Sequence, residues 1–402
     1  YHLNKAKPAL LAGTSMFILI WIYFVLNWLD TNILRAETEK LIVDISEIFF
    51  FLLVAMTYIE VMVNRWVFEV LKRRLIHHGF NYRQLFWILW LLAFFISAFA
   101  NNLATALILS TVAISLTKNP KILVPIAINI VVWSNAGWVW SPFWDITTLM
   151  VWSEWKVEFA EFLYIFPSAF LWWLFTSFIL SFFVPKTNPE SKGQILNIKL
   201  KSWAKKVIYL WLFTIFISVV IDNYFNIPAM WWMMFWLALL HLVHYHSKKF
   251  HREVGFDIYK NMKKTELDTL LFFFGILSAI WALDFLWYLH YIVTFYNYVW
   301  INTWNIITGL LSWVVDNIPV TSAVLKSDLS MTLNQWLMFT MTVWIWWSLI
   351  SFGSAAWVWV MSKMKWIYTF SSHMKFFPII LLWYFFSIFI FFLQNYIISI
   401  IK

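Results

Sequence analysis

The sequence predicts an all-α polytopic membrane protein with inverted structural repeats, each holding a re-entrant hairpin and a broken transmembrane helix. Of the 402 residues, 62% are hydrophobic and 12% are charged, whereas soluble domains carry about 25% charged residues. The apolar runs have the length of about 20 residues that a membrane-crossing helix needs, not the roughly 10 residues of a barrel strand. Four runs are interrupted by polar residues, two in each half of the chain.

The apolar runs give the order of the elements. The interruptions fall at Asn101-Asn102, within 135–150, at Asp316-Asn317 and near Ser351–Ser354. Each uninterrupted run predicts one helix, and each interrupted run predicts a hairpin or a broken helix. The runs are residues 9–29, 46–64, 84–116, 122–152, 159–185, 207–225, 229–247, 267–289, 300–325, 335–362 and 376–400.

The basic residues indicate the orientation of the helices. By the positive-inside rule, the segments that hold most of the lysines and arginines are cytoplasmic. The chain is therefore predicted to lie in the inner, cytoplasmic membrane as a multi-pass protein with its N-terminus inside and its C-terminus outside. The net charge of +9 is a topology signal and does not predict a nucleic-acid partner. The basic segments are Lys5–Lys7 and residues 65–83, 118–121, 186–206, 248–264 and 363–375.

This charge pattern requires a first hairpin. Loops 65–83 and 118–121 are both basic, so segment 84–116 enters and leaves from the cytoplasm. We expect Asn101-Asn102 near the tip of this re-entrant hairpin.

A second hairpin follows from the same rule. Segments 290–299 and 326–334 are almost free of lysine and arginine, so both are predicted outside. Segment 300–325 then forms a hairpin from the opposite face, with Asp316-Asn317 near its tip. Nine complete crossings remain.

The two halves of the chain resemble each other. The run F-F-F-L-L-V-A-M-T-Y-I-E ends at Glu60, and F-F-F-G-I-L-S-A-I-W-A-L-D ends at Asp284. Each is followed by a hairpin and a broken helix, and the hairpins open to opposite faces, which is the architecture of secondary transporters with a midplane site. The predicted domains are an N-terminal helix with an external loop (1–45), a first repeat (46–185, with hairpin 84–116 and broken helix 122–152), a connecting helix pair (186–266) and a second repeat (267–402, with hairpin 300–325 and broken helix 335–362).

Residues 135–150 place polar side chains and Pro142 at membrane depth. Irregular backbone survives there only inside protein or beside a watery cavity, because its N–H and C=O groups would otherwise be unpaired. A carboxylate beside hydroxyls and freed carbonyls marks a cation or substrate site. The alternative is a polar loop outside the membrane. The candidate ligands are Asn135, Ser141, Asp145, Thr147 and Thr148.

The other interruptions supply further candidates. At the second hairpin tip, Asp316 and Asn317 are expected as ligands or as a helix N-cap. Serines of the second broken helix are oxygen ligands or bond back to helix carbonyls. The remaining candidates are Asn101 and Asn102 at the first tip, and Ser348, Ser351 and Ser354 at the second broken helix.

Glu60 and Asp284 lie in otherwise apolar runs. A charge at the centre of a membrane helix costs roughly 2.5–3.5 kcal/mol on insertion scales. Both carboxylates are therefore expected to face the helix bundle, as proton carriers or paired with a cation.

Several stretches resemble NhaD-type sodium/proton antiporters, which belong to an ion-transporter superfamily that includes arsenite permeases and dicarboxylate carriers. The resemblance covers about residues 46 to 370. Asn101 departs from the pattern, because the family usually has Asp before the following Asn. The stretches are F-L-L-V-A-M-T-Y-I-E-V-M (51–62), Y-R-Q-L-F-W-I (82–88), N-L-A-T-A-L (102–107), S-P-F-W-D-I-T-T-L-M-V-W (141–152), V-D-N-I-P-V (315–320) and F-G-S-A-A-W (352–357).

The resemblance implies a secondary transporter, not an enzyme, that exchanges sodium or lithium for protons by alternating access. It implies Na⁺ at Asp145 and Asp316, no cofactor, a lipid bilayer as surroundings and a homodimer. One alternative is an arsenite, dicarboxylate or other anion carrier of the same superfamily. The others are a metalloenzyme built on His241, His244, His246 and His251 and an inactive pseudo-carrier.

Tryptophan stands where small residues are expected. The chain has 31 Trp and only 8 Gly, although about 7% Gly is usual. Where the family has glycine at the breaks, this chain has Trp, which does not suit close backbone approach or a permissive φ. This predicts a gene whose UGA codons mean glycine but were translated as tryptophan, with some genuine Trp such as Trp152. The positions are Trp138, Trp144, Trp344, Trp346, Trp347 and Trp357, with Trp66, Trp90, Trp232, Trp236 and Trp281 similar.

Overall fold

The computed structural model is helical throughout the part of the chain that it describes, and no strand occurs there. The described residues are 6–97, 102–137, 146–189, 198–225, 227–251, 262, 267–312, 317–327, 329–345, 357, 360–361, 363–364 and 366–401.

The helices follow the predicted apolar runs closely. In the first half they are α1 (Ala6–Leu26), α2 (Thr31–Asn64), α3 (Val67–His77), α4 (Tyr82–Ser97), α5 (Asn102–Leu116), α6 (Pro120–Ala136), α7 (Ile146–Ser153), a 3₁₀ helix (Phe159–Ile165) and α8 (Phe166–Ser181). In the second half they are α9 (Ala204–Phe225), α10 (Ala229–His251), α11 (Leu267–Phe285), α12 (His290–Tyr298), α13 (Ile301–Leu311), α14 (Asn317–Lys326), α15 (Leu333–Ile345), α16 (Phe370–Met374) and α17 (Phe377–Ile401).

The chain is an integral membrane protein. Among the described residues, four helices are long and apolar enough to cross a bilayer, and a further pair bent by 77° makes up to five. The predicted all-α polytopic class is therefore confirmed, whereas the nine crossings and the repeats stay predictions. The four are Ala6–Leu26, Thr31–Asn64, Phe159–Ser181 and Phe377–Ile400, and the bent pair is Leu270–Phe285 with His290–Tyr296.

Helix α2 begins earlier than the sequence predicted. An external loop was expected before residue 46, but the helix starts at Thr31 and has 34 residues. Residues 31–45 contain no Gly or Pro, and Arg35 pairs with Glu39 one turn later at 3.5 Å, both of which favour a helix. At 1.5 Å per residue, α2 is about 51 Å long, so it exceeds a hydrocarbon core of about 30 Å.

The chain divides into two compact units. Unit 1 comprises Tyr1–Asn64, Lys206–Ile301 and Ile318–Ser330. In it α1 packs along α11, and α2 packs against α10 and α11. Helices α1 and α11 approach each other closely at Gly13, where an added Cβ would lie 2.1 Å from the Gly275 carbonyl oxygen.

Unit 2 comprises Arg65–Lys205, Asn302–Asn317 and Met331–Lys402. Its centre is α6, which packs against α4, α5 and α8 and is buried from Leu123 to Ala136. The helix begins with Asn119 as N-cap, whose side chain accepts from the Lys121 amide, and with Pro120 at its first position, a favoured start.

Buried polar groups fasten α6 to its neighbours. The Asn129 amide donates to the Phe86 carbonyl at 3.1 Å and accepts from the Ser177 hydroxyl at 2.6 Å. The Trp133 indole donates to the same hydroxyl. Because buried polar groups destabilise a core unless they are bonded, this satisfied set fixes the register of α6 against α4 and α8.

Two basic segments of unit 2 contact each other. On α3, the Arg73 guanidinium donates to the Ile198 carbonyl at 2.8 Å, and just before this helix Arg65 donates to the Ser202 carbonyl at 3.3 Å. The Tyr82 amide, at the start of α4, donates to the Thr187 carbonyl at 3.0 Å. The loops predicted as cytoplasmic at 65–83 and 186–206 thus lie at the same end of unit 2.

Candidate ion-binding site

Helices α4 and α5 form a hairpin. They pack against each other, and the Tyr82 hydroxyl at the start of α4 donates to the Leu116 carbonyl at the end of α5, at 3.2 Å. The arms have 16 and 15 residues, or about 24 and 22 Å, less than a hydrocarbon core of about 30 Å. The start of α4 and the end of α5 therefore both lie beside basic loops, 65–83 and 118–121.

The hairpin is anchored to α6 at the end far from those loops. The Ser97 hydroxyl donates to the Ser134 carbonyl. The Asn102 amide donates to the side-chain oxygen of Asn135 at 2.9 Å. All four residues are buried, so the sequence-predicted pair Asn102 and Asn135 meets inside the protein.

The end of α6 also requires a very small residue. An added Cβ on Gly137 would lie 2.0 Å from the Phe94 carbonyl oxygen on α4. Helix α6 ends at Ala136 and α7 begins at Ile146. The interruption that the sequence predicts between them stays a prediction, because residues 138–145 lie outside the described residues.

After the interruption, α7 carries Thr147 and Thr148, both fully buried. The Asn317 amide, at the first position of α14, donates to the Thr147 hydroxyl at 2.9 Å. Helix α7 also packs against α15, the first part of the second predicted broken helix. A residue from each half of the sequence therefore contributes to this contact.

The first arm of the second predicted hairpin, α13, is anchored to α15 in a similar way. The Ser312 hydroxyl donates to the Val343 carbonyl at 2.7 Å, as Ser97 does to Ser134. The Asn305 amide donates to the Gln335 carbonyl at 2.9 Å. In both halves the anchoring serine precedes the tip asparagine by five positions, Ser97 before Asn102 and Ser312 before Asn317.

Seven predicted site residues lie outside the described residues. They belong to the predicted interruptions of the two broken helices or to the predicted hairpin tips. They therefore stay candidates from the sequence alone. They are Asn101, Ser141, Asp145, Asp316, Ser348, Ser351 and Ser354.

Glu60 and Asp284 belong to unit 1, whereas the asparagine contacts belong to unit 2. Glu60 is half-buried on α2. Asp284, near the end of α11, lines a cavity of about 1120 Å³ together with Glu37 and Lys326. The Lys326 ammonium lies 2.8 Å from the Asp44 carboxylate on α2.

Sequence reasoning missed Ser97, Gly137 and Ser312. A serine and an asparagine at the same spacing before two tips is a signal that the sequence does contain. Gly137 is one of only 8 glycines in the chain, and its position beside the break was a second available signal.

The described part of the site offers oxygen ligands. Amide and hydroxyl oxygens of Asn135 and Thr147 flank the interruption that contains Asp145, and such hard oxygens suit alkali cations and protons. No group of three His, Asp or Glu side chains that could hold a metal ion occurs among the described residues. The described side chains thus supply neutral oxygens of the kind that small cations bind, and the predicted carboxylates Asp145 and Asp316 lie outside the described residues.

Comparison with known proteins supports a transport family. The model of the citrate transporter (CitMHS) family matches residues 2–351. The Na⁺/H⁺ antiporter NhaD of Vibrio cholerae is 38% identical, with 98% of this chain and 88% of that protein aligned. NhaD of Vibrio parahaemolyticus is 36% identical, with 95% and 98% aligned. Sodium/proton antiporter 1 of Arabidopsis thaliana is 22% identical, with 78% and 55% aligned.

These matches span nearly all of the chain, and the NhaD proteins are aligned over most of their own length. They confirm the resemblance that the stretches at 51–62 and 141–152 predicted. The chain belongs to the citrate transporter (CitMHS) family and, within it, to the NhaD-type Na⁺/H⁺ antiporters, which are membrane transporters and not enzymes.

Proposed function

We propose that the chain is a secondary active antiporter that exchanges Na⁺ or Li⁺ for H⁺ by alternating access. The observation that carries this proposal is the pair of buried amide contacts, Asn102 to Asn135 and Asn317 to Thr147. They tie residues of both predicted hairpin tips to the two sides of one helix interruption. The names of the relatives, Na⁺/H⁺ antiporters, support the same reaction.

The carboxylates of this proposal adjoin the two contacts in sequence. Asp145 lies between Asn135 and Thr147, and Asp316 directly precedes Asn317. A carboxylate binds either Na⁺ or a proton, so competition for the same oxygens couples the two fluxes. The remaining ligands are Ser141, Thr148, Asn101, Ser348, Ser351 and Ser354, and no cofactor takes part.

Glu60 and Asp284 have a separate role in this proposal. They are carried by unit 1, which acts as the scaffold, while unit 2, with the first hairpin and both asparagine contacts, carries the ion. Each is a proton carrier or the partner of a cation, because an uncompensated charge inside a membrane is costly.

The repeats and their orientation also belong to the proposal. The equal serine–asparagine spacing in the two halves supports inverted repeats over 46–185 and 267–402. The contact between basic segments 65–83 and 186–206 supports a common cytoplasmic side. The chain then lies in the inner membrane with its N-terminus inside and its C-terminus outside, and the resemblance to NhaD-type antiporters supports a homodimer.

An anion carrier is the second candidate, because the family is described as one of citrate transporters. Citrate carries several negative charges at neutral pH, and carboxylates at Asp145 and Asp316 would repel it. The acidic residues at the breaks therefore favour a cation.

The test uses inverted membrane vesicles that hold a pH gradient reported by a fluorescent dye. Sodium or lithium should dissipate the gradient, whereas citrate and arsenite should not. Asp145→Asn and Asp316→Asn should each abolish the response, because a neutral amide cannot exchange a proton for a cation. Glu39→Gln is the matched control, since Glu39 is an exposed carboxylate on α2.

Two results would overturn the proposal. One is a gradient that sodium and lithium leave unchanged in vesicles with correctly inserted protein. The other is full sodium response in both aspartate variants.

A further inference from the structure

Six described residues other than glycine have a backbone in the left-handed region, and every one of them is a tryptophan. Their φ angles lie between 54° and 67°. A bulky side chain with positive φ is a genuine outlier, because its Cβ meets the following carbonyl oxygen, whereas glycine adopts this conformation freely. Among described glycines only Gly79 shares it, at 68°. The six are Trp28, Trp66, Trp155, Trp203, Trp287 and Trp366.

Three of them end a helix with the hydrogen-bond pattern of a Schellman motif. In this motif the left-handed residue after the helix is usually glycine, and two amides bond back to the last turn. Trp28 occupies this position after α1, Trp155 after α7 and Trp287 after α11. The bonds are Trp28 N to Val25 O (3.3 Å), Leu29 N to Phe24 O (3.0 Å), Trp155 N to Trp152 O (2.9 Å), Lys156 N to Val151 O (3.2 Å), Trp287 N to Asp284 O (2.8 Å) and Tyr288 N to Leu283 O (2.9 Å).

In four of the six, packing of the ring does not compensate for this strain. Trp28 is 95% exposed, Trp366 94%, Trp287 74% and Trp155 58%. Buried aromatic area is what normally makes a tryptophan stabilising. Trp66 has a Lys201 ammonium 4.4 Å from its ring, a contact that leaves its left-handed backbone unchanged.

A second group of tryptophans is buried in an unfavourable way. Their indole N–H groups are buried and make no hydrogen bond, although a buried indole usually finds an acceptor. Glycine at these positions would remove both the orphaned donor and the ring. The group comprises Trp21, Trp90, Trp232, Trp236 and Trp357.

The anchors of the two hairpins connect this observation to the ion site. When Ser134 is matched to Val343 as the acceptor of the anchoring serine, Gly137 corresponds to Trp346 in sequence. Gly137 has no room for even a Cβ, since Phe94 O would lie 2.0 Å from it. This sequence correspondence predicts glycine at position 346, where the translated sequence has tryptophan.

We infer that the source cell reads UGA as glycine, so that the native protein carries glycine at the six left-handed positions and at Trp346. The composition agrees, because 402 residues at about 7% glycine would hold about 28, against 8 Gly and 31 Trp. The inference requires a glycine-accepting tRNA whose anticodon pairs with UGA. It does not depend on which ion the protein transports.

The same reasoning identifies one tryptophan, Trp133, as genuine. Trp133 is fully buried against Phe94 and Phe170, and its indole donates to Ser177. Here the ring has both packing and an acceptor. Trp133 is therefore encoded by UGG.

The first test is the gene sequence together with peptide mass spectrometry of the protein purified from its own cells. We expect UGA codons and glycine masses at the six left-handed positions and at 346, and UGG with a tryptophan mass at Trp133. UGG codons at the six positions, or tryptophan in their peptides, would overturn the inference.

The second test uses protein made from a synthetic gene in a host that cannot read UGA as glycine. Trp155→Gly and Trp287→Gly should each raise the melting temperature in detergent, by about 2–4 °C for each cap. Trp133→Gly is the control, and it should lower the melting temperature, because it removes a buried ring that is packed and hydrogen-bonded. A lower melting temperature in both cap variants would contradict the inference.

Discussion

Two asparagines, each at the first position of a helix, donate a side-chain hydrogen bond to a buried polar residue. Asn102 begins α5 and donates to Asn135, and Asn317 begins α14 and donates to Thr147. Both contacts are buried, and a hydrogen bond inside a low-dielectric region is worth more than the same bond in water. Each bond fixes an oxygen that flanks the interruption around Asp145.

Replacing either asparagine with leucine should weaken cation binding. Asn102→Leu and Asn317→Leu keep the side chain's size but remove the amide donor. We expect an apparent KM for sodium about tenfold higher, as loss of about 1.4 kcal/mol gives, measured in the vesicle assay. Asn27→Leu is the control, because Asn27 is exposed and bonds only to the Tyr23 carbonyl of its own helix. An unchanged KM in both variants would separate these residues from the site.

Gly137 gives a prediction about stability. Gly137→Ala would place a Cβ 2.0 Å from the Phe94 carbonyl oxygen, so α6 and α4 must separate. We expect destabilisation of about 1–3 kcal/mol, as for overpacking, seen as a lower melting temperature in detergent. Gly79→Asn is the control, because Gly79 has open space around it and asparagine tolerates a positive φ. Equal melting temperatures for wild type and Gly137→Ala would show that this contact is looser than described.

At the scale of elements, helices are fastened by polar groups placed on otherwise apolar surfaces. The Asn129–Ser177–Trp133 set joins α6 to α8. Apolar side chains gain little from contact with each other inside lipid, so packing and interhelical hydrogen bonds carry the association. In unit 1, the Lys326–Asp44 pair joins α14 to the early part of α2.

The Lys326–Asp44 pair should show measurable coupling. A double-mutant cycle with Lys326→Gln and Asp44→Asn should give about 1 kcal/mol in the free energy of unfolding, and less at high salt. The exposed Arg35–Glu39 pair on the same helix is the control. Its side chains are 77% and 71% exposed, against 28% and 32% for Lys326 and Asp44. Coupling no larger than that of the control would mean that the pair does not hold α14 to α2.

At the scale of the whole molecule, the basic segments predict which side faces the cytoplasm. The chain contains no cysteine, so single introduced cysteines can be labelled without background. His78 follows α3 and is exposed, and Tyr298 ends α12 and is 83% exposed.

A membrane-impermeant maleimide should distinguish the two sides. In intact cells it should label Tyr298→Cys and leave His78→Cys unlabelled. In inverted vesicles the labelling should be reversed. Labelling of both from the same side would overturn the predicted orientation, and with it the opposite entry of the two hairpins.

The sequence by itself determined the membrane class, most helix positions and the family. These follow from hydropathy, charge and short motifs, which are local properties. The excess of tryptophan over glycine was also visible in the composition. The helical start of α2 was missed because its charged residues suggested a loop, although they pair along one helix face.

Only the tertiary structure decided which polar residues meet. Asn102 and Asn135 are 33 residues apart, and Asn317 and Thr147 are 170 apart, so no local pattern could pair them. It also assigned Glu60 and Asp284 to a different unit from the asparagines, because compactness depends on contacts distant in sequence. The left-handed tryptophans are a third case. A backbone dihedral is a property of the folded chain, and it showed where glycine is required.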